Sequence, residues 1–281
     1  MSYSGSWYPN THDACRETLK SYIASNHSTV KTVPGNRPQA IIAPHAGWYF
    51  SGASAATSYN TLVNHQKEPT DLVVLFGGHV GAASPHFLFL GEGLNTPLGP
   101  LKTRKTLQDE LLRLPQLRHS SNVIDTADNA IEIHLPMIKF FFPNSTVAII
   151  TAAPRADAWD LGQEIRNITA KLSLQTVFIG STDLTHYGLN YRYTPRQGED
   201  SPHEWVRLHN DHDLLQRVVE KDPEGILNHS LENKSSCCPG AIIATLGATS
   251  SHPNTPRILS HHLSSDIRYD ENFVGYGNVL I

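Results

Sequence analysis

The chain has 281 residues, 39% of them hydrophobic, a formal net charge of −4 and a pI near 6.4. That is enough apolar material for a substantial core, and the slightly acidic balance gives no broad basic field. Nucleic acid and anionic membrane are therefore not expected partners, whereas a small-molecule substrate or a peptide is. No run approaches the ~18 apolar residues of a bilayer span, Met1-Ser2-Tyr3-Ser4 lacks the features of a signal peptide, and Cys15, Cys237 and Cys238 are too few for a disulfide framework. The expected compartment is the cytoplasm.

Thr11 is a plausible cap for a helix whose stripe runs through Cys15, Leu19, Tyr22 and Ile23. Residues 28–38 look like a connecting loop, and Gln39–Ala43 is the first convincing strand. It ends in Pro44-His45-Ala46-Gly47, with a small-residue helix start at 51–56. The strand Asp71–Phe76 repeats the construction, ending in Gly77-Gly78-His79. A strand at 87–90, a turn at 96–100 and an amphipathic helix at 106–114 follow. A helix is expected over 128–142, kinked or ended by Pro136, and within it Glu132 and His134 point in different directions, so one of them at most faces a site.

Further β-branched runs at 146–151 and 176–180 flank a helical pattern through Trp159, Leu161, Ile165 and Ile168. A polar loop over 197–202, helices at 214–220 and 223–231, an apolar helix opened by Pro239 and closing strands at 257–260 and 273–280 complete the chain. With no repeat or linker to split it, the pattern predicts a single α/β domain whose central sheet, largely parallel or mixed, is flanked by helices. Sites in such sheets collect at the carboxyl ends of strands.

His45, His79 and the loop Ser181-Thr182-Asp183-Leu184-Thr185-His186 all fall at such ends. Cys237 lies at a helix start, where unpaired N–H groups and the helix dipole favour a thiolate. Two imidazoles and a thiolate make a three-donor set with open positions, suited to iron, copper or zinc. The same cysteine could instead serve as a nucleophile, or simply pack. Asp183 and His186, three apart, could orient one another or face one cleft. Of 16 histidines, those at 203, 209, 212, 261 and 262 sit in polar surroundings and are expected to be solvated.

Ala43-Pro44-His45-Ala46-Gly47, Gly78-His79, Thr96-Pro97-Leu98-Gly99, Ile131-Glu132-Ile133-His134-Leu135-Pro136, Ser181 to Gly188 and Val274-Gly275-Tyr276 together resemble the ordered motif series of the Memo family, also described in microbes as protein B of the AmmeMemoRadiSam system. The resemblance runs from Gly5 to the last strand. It implies a fold like that of class III extradiol ring-cleaving dioxygenases and a pocket with metal ligands at His45, His79 and Cys237. His186 and Asp183 become the catalytic candidates. It implies metal-dependent redox chemistry with iron or copper, or else a non-catalytic peptide or small-ligand function in signalling. The sequence departs from the family series in three places. The segment Gly77-Gly78-His79 is shorter, Asn129 stands where a histidine is usual, and Cys237-Cys238-Pro239 replaces Cys-Gly-Arg, which removes an arginine. Keeping Gly240 in register selects Cys237 over Cys238 as the ligand.

Overall fold

In the computed structural model, residues 1–25, 37–120, 128–195 and 201–281 are described. Parts of the loops expected at 28–38 and 197–202 lie outside these residues. The first half comprises α1 (His12–Ser25), β1 (Ala40–Ala43), α2 (Ala53–Asn64), β2 (Leu72–Gly77), β3 (His86–Phe89), β4 (Gly93–Leu94), β5 (Leu101–Lys102), α3 (Lys105–Leu111), β6 (Leu117–Ser120), α4 (Asn129–Glu132) and α5 (His134–Phe141). There follow β7 (Thr146–Thr151), α6 (Ala158–Lys171), β8 (Thr176–Ser181), β9 (His186–Tyr187), α7 (Pro202–Trp205), α8 (Asp211–Glu220), α9 (Pro223–Asn233), α10 (Pro239–Ala248), β10 (Arg257–Leu263) and β11 (Phe273–Leu280).

The main sheet has the order β10-β11-β1-β8-β2-β7-β3-β6, with β9 paired to β11. Its centre, β1-β8-β2-β7, is parallel, while β11 joins β1 and β3 joins β7 antiparallel. The sheet is therefore mixed, as expected, with a parallel heart. Both of its faces are covered. Ala40, Ile42, Leu72, Val74, Phe76, Ala148, Ile150 and Phe178 belong to one apolar cluster with residues of α6, α8 and α10. The alternate residues Ile41, Ala43, Val73, Leu75, Val147, Ile149, Val177 and Ile179 belong to another with residues of α1, α2 and α5. This period-two sorting is why the central strands read as continuous apolar runs rather than alternating ones. None of the described helices is long and apolar enough to cross a membrane.

The helix expected over 128–142 divides at Ile133 into α4 and α5. The interruption lies one turn before Pro136, as expected of a proline within a helix. Lacking an N–H, Pro136 cannot bond back to the Glu132 carbonyl, so α4 stops there and the proline occupies the first turn of α5, where such donors are unpaired anyway. After β1 the chain makes a π turn over Trp48–Gly52 before α2. The Thr11 cap forms, its hydroxyl accepting the Ala14 N–H at 3.3 Å.

Candidate metal centre

The parallel register assembles the site. Ala43 pairs with Ser181, so His45 and Asp183, each two residues further on, emerge at the same level. Phe76 pairs with Gly180, which brings His79 to the same edge. Gly78 makes the turn that delivers it: its φ is +94°, and a Cβ there would strike the Thr151 side chain. The shorter Gly77-Gly78-His79 segment still reaches, since the His45 and His79 rings meet edge to face with centroids 5.0 Å apart. Cys237 comes from the other direction, ahead of α10. Gly240 lets that helix press its first turn onto the carbonyls of Ala152 and Ala153, where any Cβ would clash.

His45 is fully buried. Its Nδ1 is 2.8 Å from Ser181 Oγ, leaving Nε2 toward Cys237 Sγ at 3.3 Å. Its backbone N–H donates to Asp183 Oδ1 at 2.8 Å. His79 is held by Asp128, whose carboxylate meets the ring Nδ1 at 2.9 Å and the backbone N–H at 2.7 Å and also caps α4 through Ala130 N–H. The remaining His79 nitrogen is thus the one available to the Cys237 sulfur. Fixing one imidazole nitrogen with a hydroxyl or carboxylate so that the other is presented is the usual support of a metal-bound histidine.

Asp183 Oδ2 lies 4.0 Å from His45 Nε2 and 3.8 Å from His186 Nε2. His186 stacks on Tyr191 with centroids 5.0 Å apart. The sulfur of Cys237 accepts the Asp183 N–H at 3.3 Å, and its own N–H donates to the Asp183 carbonyl at 3.2 Å. The donor atoms of His45, His79, Cys237 and Cys238 all lie within 4.8 Å of one another.

The charges follow from these contacts. Burial alone would lower the His45 pKa, but Asp183 and Cys237 outweigh it and the imidazole stands above its ordinary value. Burial also opposes charge on His79, where hydrogen bonds to Asp128 and Cys237 prevail and push it up to about 10. His186 is likewise lowered by burial and raised further by Asp183 and Cys237. Burial would raise the Cys237 thiol, yet Cys238 and the two imidazoles bring it well below the usual thiol range. Cys238 is held well above that range by its bond to Cys237 and by burial. The site is arranged around a thiolate among imidazoles. Such a donor set suits iron, copper or zinc.

A cavity of about 600 Å³ opens over the imidazoles, lined by His45, His79, Asp183 and His186 and walled by Trp7, Tyr49, Tyr191 and Tyr276. Asn129 lines it as well and donates to the His45 carbonyl at 3.3 Å. Glu132 and His134 do not line it. Glu132 ties down the amino-terminal segment, and His134 Nδ1 lies 2.9 Å from the Tyr59 hydroxyl. Three histidines expected to be solvated are partly buried instead: His203 stacks on Phe273 with centroids 4.1 Å apart, His261 meets the buried Asp211 at 2.8 Å and His262 lies 3.2 Å from the Phe50 carbonyl. The sequence pattern did not mark Asp128 or Ser181 as supports of the imidazoles. Only the helix-capping position of Asp128, just ahead of α4, carried a hint.

The fold and site thus define a class: an α/β protein with a histidine–cysteine cluster at the carboxyl ends of parallel strands. The Memo-like protein family matches residues 1–280, and the chain belongs to that family. It is 26% identical over 292 residues to a MEMO1 family protein of Pyrococcus horikoshii, covering 99% of this chain and 97% of that one. A MEMO1 family protein of Thermococcus kodakarensis is 27% identical over 258 residues, covering 87% of each. Among solved structures, an uncharacterized protein of Escherichia coli K12 aligns with TM-score 0.54 at 14% identity, over 87% of this chain and 100% of that one. That likeness shows the fold alone.

Proposed function

We propose that this Memo-family chain is a metal-dependent oxidoreductase that holds iron or copper through His45, His79 and Cys237 beneath a dioxygenase-like pocket, zinc being a further ion the donors suit. The observation that carries this is the meeting of His45 Nε2 and Cys237 Sγ at 3.3 Å, with each imidazole anchored through its other nitrogen. When bound, such an ion supplies electron exchange with a molecule held in the cavity. The chain's own groups do the rest. Ser181 and Asp128 orient the imidazoles, and Asp183 steadies both His45 and His186. His186, facing the cavity, holds a proton at Nε2 in reach of a bound substrate. The walls of Trp7, Tyr49, Tyr191 and Tyr276 exclude water from a small molecule lying between them.

Metal analysis of protein purified anaerobically under reducing conditions tests this. About one equivalent of ion is expected in the native chain and background in His45→Ala; equal metal in both would sink it. A second function, non-catalytic binding of a peptide or small ligand in the same cleft, is favoured by its open aromatic rim, where Tyr49 is 65% exposed. Undiminished ligand binding by metal-free protein, with no turnover when loaded, would select it.

A further inference from the structure

Cys238 takes no part in the three-donor site. It is buried at 2% exposure and belongs to the apolar cluster on the α10 face, as a small packing residue would. Its sulfur, however, faces the centre. Cys238 Sγ lies 3.8 Å from Cys237 Sγ and 3.6 Å from the carbonyl of Gly78, the residue that delivers His79.

Tetrahedral geometry supplies a measure of this arrangement. Bonds of ~2.3 Å to sulfur and ~2.0–2.1 Å to nitrogen place two sulfurs of one tetrahedron ~3.8 Å apart, and a sulfur and a nitrogen ~3.5 Å apart. The observed sulfur–sulfur separation of 3.8 Å and the Cys237 Sγ to His45 Nε2 separation of 3.3 Å fit these edges, and the other separations, all within 4.8 Å, have to close onto the ion as it binds. Both cysteines are also fixed by their backbones. Cys237 N–H is held by the Asp183 carbonyl, and Cys238 N–H by the hydroxyls of Thr182 and Ser236, each at 3.2 Å. Neither sulfur lines the cavity, whereas both imidazoles do.

We infer that Cys238 is a fourth metal donor, so that this chain holds its ion in a closed tetrahedron of two imidazoles and two thiolates. The inference rests on the metal-binding function above and deepens it. As the ion binds, the Cys238 thiol proton and any proton on the metal-facing nitrogens of His45 and His79 leave to solvent, while Cys237 already presents a thiolate. A closed donor set leaves no coordination position for a substrate, so a molecule in the cavity meets the imidazole side of the centre and not the ion.

Cobalt(II) loading of the full chain tests this, because each coordinated thiolate adds sulfur-to-cobalt absorption in the near ultraviolet. The native chain is expected to bind one equivalent with the absorption of two thiolates. Cys238→Ala should still bind one equivalent, with that absorption roughly halved and the affinity lowered on the order of 10-fold or more in a chelator competition. X-ray absorption of the zinc-loaded native chain, which needs no variant, should count two sulfurs at ~2.3 Å. A single sulfur, or a Cys238→Ala spectrum and affinity equal to the native ones, overturns the fourth donor and leaves the three-donor site standing. A native chain that takes up neither ion overturns both.

Discussion

Two buried polar clusters in this molecule differ in how their groups pair. Around Glu132, only 1% exposed, acceptors and donors match: its carboxylate receives the N–H groups of Ser2 and Tyr3 at 2.7 and 2.8 Å and the Tyr8 hydroxyl at 2.9 Å. Around His45 the lone-pair atoms converge instead, two imidazole nitrogens on sulfur, with a second sulfur 3.8 Å away and a carboxylate at the edge. The first cluster is satisfied and holds the amino-terminal segment against α4. The second gathers four ligating atoms within 4.8 Å of one another around a sulfur that the imidazoles hold as a thiolate, a set that can exchange its protons for a cation.

The contrast predicts separable losses. Cys237→Ala, which removes the sulfur that both imidazoles meet, should lower metal affinity more than any other single change while leaving the unfolding midpoint of the metal-free chain within a few degrees. Collapse of the apoprotein would mean that the His45 cluster is structural like its counterpart. Glu132→Ala should do the reverse, costing about 3 kcal/mol in denaturant unfolding as three hydrogen bonds to a charged acceptor are lost, with metal stoichiometry retained. Loss of metal in that variant would merge the two clusters into one.

Asp128→Asn weakens the support behind His79 and should lower metal affinity by roughly 10- to 100-fold, measured by competition with a chelator. An unchanged affinity would remove Asp128 from the centre. A pH effect concerns His134, which burial and His45 lower to about 3. Below pH ~6.5 the unfolded chain takes up a proton that the folded chain refuses, so stability falls as pH drops, by about 1.4 kcal/mol per unit until pH approaches the folded value. In His134→Asn the dependence of stability on pH between 6 and 4 should be shallower by one proton. An identical slope would show that His134 is protonated in the fold.

Parts of this centre were legible because they are local. A strand that ends in Pro-His or Gly-Gly-His hands its histidine to the sheet rim whatever else the chain does, and Pro239 marked the helix start that carries Cys237. The supports were not legible. Asp128 reaches His79 across 49 residues and Ser181 reaches His45 across 136, and nothing in either local pattern encodes that distance. Cys238 was set aside as the less suitable of two neighbours, because register along one segment says nothing of where a side chain points. His261 looked like a surface histidine since its partner, Asp211, comes from a helix 50 residues earlier.

By itself, then, the sequence determined not the short strands β4, β5, β6 and β9 but the strands of the parallel heart and their helices, the membership in the Memo family and the residues brought to the carboxyl edge. Each of these depends on runs, turns and motifs read within short windows. Only the tertiary structure decided which strands run antiparallel at the two sides of the sheet, that Glu132 and His134 turn away from the cavity, and that a second sulfur lies beside the first. Those outcomes depend on the parallel register that sets Ala43 beside Ser181 and on the close seat of Gly240 beneath β7, contacts between segments that no single stretch of chain contains.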